Sequence, residues 1–250
     1  MTDIPPPRRL MWQRAELVDA RRETSSARTL VFSGPVWVGY LSGQHVDVRL
    51  TAENGYSTER SYSIAAAVRP NCFELTVQRV PDGEVSPYFV DEMVIGDQIE
   101  VRGPIGGWFA WRPETADPIL LVGGGSGVVP LMAMIRERDR VASEAPFRLV
   151  YSARSVDEVL YRDELATRSS ADDRLTVDHI YTRSAPVGYG RRPSRIDKVD
   201  LADLSWAAGS APRCYVCGPN GFVESASELL LALGHAPAMI RTERFGPTGE

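Results

Sequence analysis

Residues 118–141 read PILLVGGGSGVVPLMAMIRERDRV. An apolar run without a polar face leads into three glycines, and a helix-periodic stretch follows. A short apolar run that stops at glycines predicts a strand buried on both faces, and the stretch beyond Pro130 predicts a helix. Downstream, FRLVYSA, RLTVDHIYT, RCYVC and AMIRTERF predict further strands, and VDEVLYRDELA and GFVESASELLLAL predict helices. This alternation predicts a parallel sheet covered by helices on both faces.

Upstream the pattern changes. LVDARRETSSARTLVF, GQHVDVRL, RSYSIA, FELTVQRV and DQIEVRG are strand candidates, separated by turn signals such as NGY, RPN and IGDQ. Short strands at this spacing predict a small antiparallel barrel. Only SPYFVDEMV reads as a helix there, with Ser86 as N-cap and Pro87 in the first position. The polar segment WRPETADP then reads as a linker. The expected architecture is two-domain: an N-terminal antiparallel β-barrel over residues 1–112 and a C-terminal α/β parallel-sheet domain over residues 113–250.

Composition narrows the function. The chain has 250 residues, 43% hydrophobic and 24% charged, with a formal net charge of −5, which argues against a nucleic-acid partner. No apolar run reaches the roughly 18 residues of a membrane span, and the first residues lack the apolar core of a secretory signal, so no membrane association is expected. Three cysteines, Cys72, Cys214 and Cys217, fit a reducing compartment, and a cytoplasmic location is expected. Lys198 is the only lysine, so each arginine is weighed by position.

The loop VGGGSGVVP, Val122 to Pro130, leaves a buried strand and opens a helix. Glycines let a ligand approach the backbone, and a helix N-terminus presents free N–H groups to an anion. No GK[ST] follows, and Val128 breaks the G-x-G-x-x-G pattern counted from Gly123. A tight structural turn is the plain alternative. The next strand ends YSARS, with Ser152 and Arg154 where an NAD-preferring unit usually carries an acid for the ribose. A hydroxyl and a guanidinium suit a 2′-phosphate, and Arg183 in YTRS is a second candidate. CYVCGPNGF holds a C-x-x-C, readable as a redox dithiol or half a zinc site. His45, His179 and His235 are scattered and no second cysteine pair exists, so no metal is expected. Cys217 closes its strand at the end that faces the ligand crevice in open α/β sheets. In the barrel half, Arg60, Ser61, Tyr62 and Ser63 crowd a cation, two hydroxyls and a ring into four positions, more than a packing strand requires.

Taken together, these segments resemble the ferredoxin–NADP reductase-like flavoprotein family. RSYS resembles its R-x-Y-[ST] flavin motif, GEVSPYF its flavin pyrophosphate motif, and GPIGGWF the glycine turn that closes its barrel. GGSGVVP resembles its G-G-T-G-x-x-P nicotinamide-nucleotide loop, with Ser126 replacing threonine, and CGPNGF its C-G-P motif. The five occur in family order over about residues 10–246.

The resemblance implies that Arg60 meets a flavin phosphate, Tyr62 packs on the isoalloxazine and Ser63 hydrogen-bonds near its N5. Gly83, Val85 and Ser86 would hold the pyrophosphate, with Gln78 and Val80 also contacting the flavin. A pyrophosphate means FAD, with FMN as the alternative. NADPH, with NADH as the alternative, would lie on Gly124, Gly125, Ser126, Gly127 and Pro130, its nicotinamide beside Cys217, Gly218 and Pro219. Ser63, Cys217, Glu243 and Phe245 are the implied catalytic set. The chain carries neither the iron–sulfur spacing nor a haem domain found in some members. The resemblance therefore implies an NAD(P)H-dependent flavin oxidoreductase that passes electrons to a separate ferredoxin, flavodoxin or monooxygenase component. A free-flavin or ferric reductase, and a non-catalytic electron-transfer subunit, are the competing readings.

Overall fold

The computed structural model describes residues 10–34, 40–52, 54–69, 71–114 and 116–246. The N-terminal MTDIPPPRR and the last four residues lie outside this set.

Six antiparallel strands close the N-terminal barrel: β1 (Gln13–Thr24), β2 (Ala27–Ser33), β3 (His45–Thr51), β4 (Ser57–Arg69), β5 (Cys72–Gln78) and β6 (Gln98–Ile105). Their order is β1-β2-β5-β4-β3-β6, and β6 pairs back onto β1. The barrel interior is filled by Leu17, Leu30, Phe32, Val46, Val48, Ile64, Phe73 and Leu75, all buried. LVDARRETSSARTLVF is a hairpin and not one strand. Ser25 and Ser26 turn the chain, and the Ser26 N–H donates to Thr24 Oγ1 at 3.3 Å, the kind of local bond with which hydroxyl side chains stabilise turns.

The C-terminal half runs β7 (Ile119–Gly124), α1 (Val128–Arg140), β8 (Phe147–Ala153), α2 (Arg162–Ala171), β9 (Leu175–Tyr181), α3 (Lys198–Leu204), β10 (Arg213–Pro219), α4 (Asn220–Ala232) and β11 (Ile240–Phe245). The five strands are parallel, in the order β11-β10-β7-β8-β9. Ile119 and Leu121 of β7 enter the cluster shared with α1, whereas Leu120 and Val122 enter the cluster shared with α4. That split explains why β7 is apolar throughout. Burying each such side chain contributes roughly 1.5–3 kcal/mol.

Three local expectations are corrected. SPYFVDEMV forms only a short π-helical turn over Tyr88–Glu92, in which the Met93 N–H reaches the Tyr88 carbonyl at 2.8 Å. Ser86 does not cap it, because its hydroxyl accepts from the Val80 N–H at 3.0 Å. Helix α2 begins only at Arg162, since Tyr161 is left-handed at φ 57° and Val159, Leu160 and Tyr161 turn into the core. Helix α3 was not expected. Its start is a reciprocal capping box: Asp197 accepts from the Val199 and Asp200 N–H groups while Asp200 accepts from the Asp197 N–H.

Candidate active site

In the parallel sheet, β8 and β9 lie on one side of β7 and β10 and β11 on the other. The order therefore reverses between β7 and β10, and the carboxyl ends of strands at such a point form a crevice. Gly123 of β7 stands beside Cys217 of β10, and Cys217 stands beside Glu243 of β11. The barrel covers this crevice: Ser63 of β4 donates its hydroxyl to Glu243 Oε1 at 3.2 Å. A side chain from each half of the chain thus meets at one point.

The glycine loop fits a close-lying ligand. A Cβ on Gly127 would stand 2.1 Å from the Cys217 carbonyl oxygen, so only glycine lets α1 start this close to β10. Gly125 has φ +56°, and a Cβ there would meet nothing nearer than Gln78 Oε1 at 3.9 Å. The loop is thus tight on the sheet side and open on the barrel side. No side chain caps the N-terminus of α1; its first N–H, that of Val128, turns back onto the Gly125 carbonyl, and the helix end presents its positive dipole to an anion. Pro130 lies in the first turn, where its missing N–H costs nothing.

Electrostatics follow from burial. Desolvation pushes the Glu243 carboxyl up to about 7, against the opposing pull of the Ser63 hydrogen bond. Burial, reinforced by the Glu243 charge, also raises the Cys217 thiol well above its ordinary range, so Cys217 remains a neutral thiol. Cys214 and Cys217 are three residues apart on a strand and lie on opposite faces, in different clusters. Both are free, and this geometry excludes the dithiol. Phe245 packs against the cluster that contains Cys217 and stands beside Pro219.

On the barrel, Tyr62 sets its ring edge-on to Phe89 at 5.5 Å, and burial raises its phenol pKa, so it stays neutral. Arg60 is exposed. It donates to the Glu59 carbonyl at 2.7 Å and lies 3.9 Å from Glu84, within the Gly83–Ser86 segment. The Gly83 N–H donates to the Val80 carbonyl at 3.1 Å, which folds this segment back on Val80. Tyr56 and Val80 are exposed, and the Tyr56 hydroxyl donates to the same Glu84 at 3.2 Å. A cation beside exposed apolar surface suits a ligand with a phosphate and a flat ring. Two predicted side chains are engaged elsewhere. Ser61 donates to Asp47 at 2.7 Å on the outer face, and Val85 is buried in the barrel core.

Ser152 stands beside Gly124 at the end of β8 and is buried. Arg154 and Arg183 project at the same edge, joined through the Arg183 N–H and the Arg154 carbonyl at 2.9 Å. Sequence reasoning missed Phe222. Its ring fills the space a Cβ would need at both Gly124 and Gly218, at 2.7 and 2.9 Å. The signal was present in the glycine pair, but their proximity is a property of the fold.

Residues 14–109 match the family described as oxidoreductase FAD-binding domain, and residues 121–228 the family described as oxidoreductase NAD-binding domain. Over 239 residues the chain is 30% identical to ferredoxin–NADP reductase B of Sorangium cellulosum, covering 92% of this chain and 96% of that one. It is also 30% identical, over 210 residues, to the ferredoxin–NAD(P)(+) reductase component of naphthalene 1,2-dioxygenase/salicylate 5-hydroxylase systems from a Ralstonia species; that match covers 84% of this chain and 62% of the relative. The first curated relatives share that proportion, so the chain spans about three-fifths of their length. The fold is similar to the FAD/NAD-binding domain of Vibrio cholerae nitric oxide dioxygenase (TM-score 0.84, 23% identity, 94% of this chain and 99% of that one). It is similar too to a Neisseria gonorrhoeae ferredoxin NADP+ reductase with bound FAD and NADP (TM-score 0.76, 21% identity, 93% and 98%). No helix among the described residues is long and apolar enough to cross a membrane. With a closed barrel matching the FAD-binding domain, a parallel sheet matching the NAD-binding domain, and a relative of equal extent at 30% identity, the chain belongs to the ferredoxin–NADP reductase family of oxidoreductases.

Proposed function

We propose that the chain is an NAD(P)H-dependent flavoprotein reductase, divided near residues 112 and 113, that takes a hydride from NADPH and passes electrons to a separate carrier protein. The observation that carries this reading is the Ser63–Glu243 bond across the crevice at 3.2 Å, beside Cys217 and the uncapped α1 N-terminus. It joins the RSYS strand to β11 of the nucleotide half.

FAD, when bound, supplies two-electron uptake and one-electron release. The protein supplies position and electrostatics. Arg60 and the main chain of Gly83–Ser86 hold the flavin phosphates, Tyr62 its ring, and Ser63 the edge nearest the crevice. The glycine loop and the positive end of α1 hold the nucleotide pyrophosphate. Gly127 keeps Cys217 close, and Cys217 and Phe245 exclude water without ionising. Glu243 holds a proton near neutral pH. The acceptor, a ferredoxin, flavodoxin or monooxygenase component, is supported by the printed names of relatives such as the Ralstonia reductase component. The experiment is anaerobic addition of NADPH to the purified yellow protein, followed by each class of acceptor. Bleaching, then recovery with a carrier protein, is expected; rapid reduction of free flavin by a protein that purifies colourless would sink the reading.

Two predictions attach to it. NADPH is preferred over NADH, because Arg154 and Arg183 stand together at the edge of β8 and β9; Arg154 Nη1 lies 3.8 Å from Glu158, a surface pair that a 2′-phosphate can displace. A charged hydrogen bond contributes roughly 1.5–3 kcal/mol, or about ten- to a hundredfold in kcat/KM. Arg154→Ala should remove most of that ratio, and equal wild-type values for both nucleotides would refute it. Second, Arg60→Ala should purify with less than about half its flavin, because the phosphate loses its charged partner. Full occupancy, measured by absorbance per polypeptide, would show that the strand has another role.

A further inference from the structure

Helix α1 begins at the glycine loop and packs along β4, the strand that carries Arg60, Tyr62 and Ser63. The contact is close because β4 presents Ala65, fully buried among the side chains of α1. Ala65 is also the extra residue of a bulge: Ile64 pairs with Leu75 and Ala66 with Glu74, so Ala65 has no partner on β5. A bulge breaks the local ladder and frees a main-chain group. Here the freed carbonyl accepts from Arg136 Nη1 of α1 at 3.2 Å.

Arg136 spends its other donors on both halves of the chain. Nη1 also meets Glu74 of β5 at 2.9 Å, and Nε and Nη2 grip Glu164 of α2 at 2.9 and 2.5 Å. Its guanidinium lies over the Tyr161 ring, 5.0 Å from the centroid. The same seam holds further cross-domain bonds. Tyr161 Oη donates to Thr76 at 2.5 Å and the Tyr161 N–H to Glu23 at 3.2 Å, while Arg21 of the barrel shares Glu74 at 3.0 Å. Arg136 is 13% exposed at its side chain and Glu74 is 9% exposed.

A buried ion pair adds little stability over well-packed apolar side chains of the same volume; its best-attested use is to fix register. The apolar part of this seam, Ala27 and Ala65 against Val129 and Met132, is non-directional. The planar fork of an arginine is directional. We infer that Arg136 is a positioning residue that fixes the nucleotide loop of α1 over the RSYS strand of the barrel, and so sets the approach of nicotinamide to flavin. This rests on the reductase reading above.

The test uses the full-length flavin-loaded protein with Arg136→Lys and Glu164→Gln. Two quantities are read: hydrogen exchange in peptides containing the Tyr161 amide, and the limiting rate of flavin reduction by NADPH in stopped flow, with flavin content and nucleotide Kd measured alongside. Both variants should exchange roughly tenfold faster at Tyr161 while peptides of β2 and β5 stay unchanged. The limiting rate should fall roughly ten- to a hundredfold, the scale of a misplacement near 1 Å, with Kd and flavin content within about twofold. Arg136→Lys should retain more rate than Arg136→Met. A folded variant with loosened exchange but an unaltered limiting rate would overturn the inference, and so would a rate loss that follows flavin loss or weaker nucleotide binding. If NADPH fails to reduce the wild type, the reductase reading fails instead, and the exchange arm still decides whether Arg136 joins the two halves.

Discussion

Gly127→Ala is expected to be among the most damaging single-methyl changes in this chain. The added Cβ would lie 2.1 Å from the Cys217 oxygen, 2.4 Å from its carbonyl carbon and 2.6 Å from the Gly218 Cα. All three are main-chain atoms of β10, so no side chain can swing aside. The backbone conformation itself is ordinary, φ −61° and ψ −12°, and the penalty is purely one of space. Overpacking a core costs about 1–3 kcal/mol, and more where backbone must move. A loss of about 3 kcal/mol would lower the melting midpoint by roughly 6–12 °C for a chain of this size. Gly221→Ala is the matched control. It lies in the first turn of α4 with nothing within 4 Å of its Cβ position, so alanine should stabilise by about 0.5–1 kcal/mol. If Gly127→Ala melts within about 2 °C of wild type, the tight packing of the loop on β10 is refuted.

That prediction also marks how far the sequence reaches. The GGGSG run, the buried strand before it and the apolar helix after it identify the loop, because glycine content and hydrophobic period are local signals. They do not say which of the glycines is spatially required. Gly127 is, and Gly107, in the GPIGGWF turn, has nothing within 4 Å of its Cβ position. The distinction depends on Cys217, about ninety residues away in sequence. The same limit explains the missed α3. Its capping box uses Asp200 at the third helical position where glutamate or glutamine is the usual signal, and the helix runs only from Lys198 to Leu204. Helix α2 was placed too early because VDEVLY has helical periodicity, while the interdomain seam draws Tyr161 toward Thr76 and Glu23. Tertiary contacts overrode local preference at that point.

The polar seam around Arg136 was the least legible feature. Arg21, Glu23, Glu74, Arg136 and Glu164 each read alone as a solvated charge, since such residues are mostly exposed. Only the bulge at Ala65 and the approach of α1 to β4 bring them together. The site residues Ser63, Cys217 and Glu243 were legible in a different way. Cys217 follows from its place near the carboxyl end of β10, whereas Ser63, in the middle of β4, and Glu243 follow only from the family resemblance.

Glu243 should make both stability and flavin reduction depend on pH around neutrality. Its ordinary value of 4.5 rises to about 7 in the folded protein because burial disfavours the carboxylate more than the Ser63 hydroxyl favours it. Between those values the folded state binds more protons than the unfolded one. Stability contributed by the neutral form is therefore complete below about pH 4.5, declines as pH rises toward 7, and levels off above it. At about 1.4 kcal/mol per pH unit the decline is on the order of 3 kcal/mol. Glu243→Gln removes it, so the variant should equal wild type in urea unfolding at pH 4.5 and exceed it at pH 8. Ser63→Ala should move the midpoint higher, because the group that stabilises the carboxylate is gone. The kinetic arm depends on the proposed reaction. Hydride donation leaves a positive charge on nicotinamide, which an ionised Glu243 beside the crevice favours. The rate of flavin reduction should then rise by about tenfold, equivalent to about 1.4 kcal/mol of barrier, as pH passes 7, and it should be flat in Glu243→Gln. A flat wild-type rate profile combined with the expected stability difference would separate the two roles, leaving Glu243 as a buried acid with no part in the transfer. Equal unfolding free energies for wild type and Glu243→Gln at both pH values would instead refute the buried carboxyl itself.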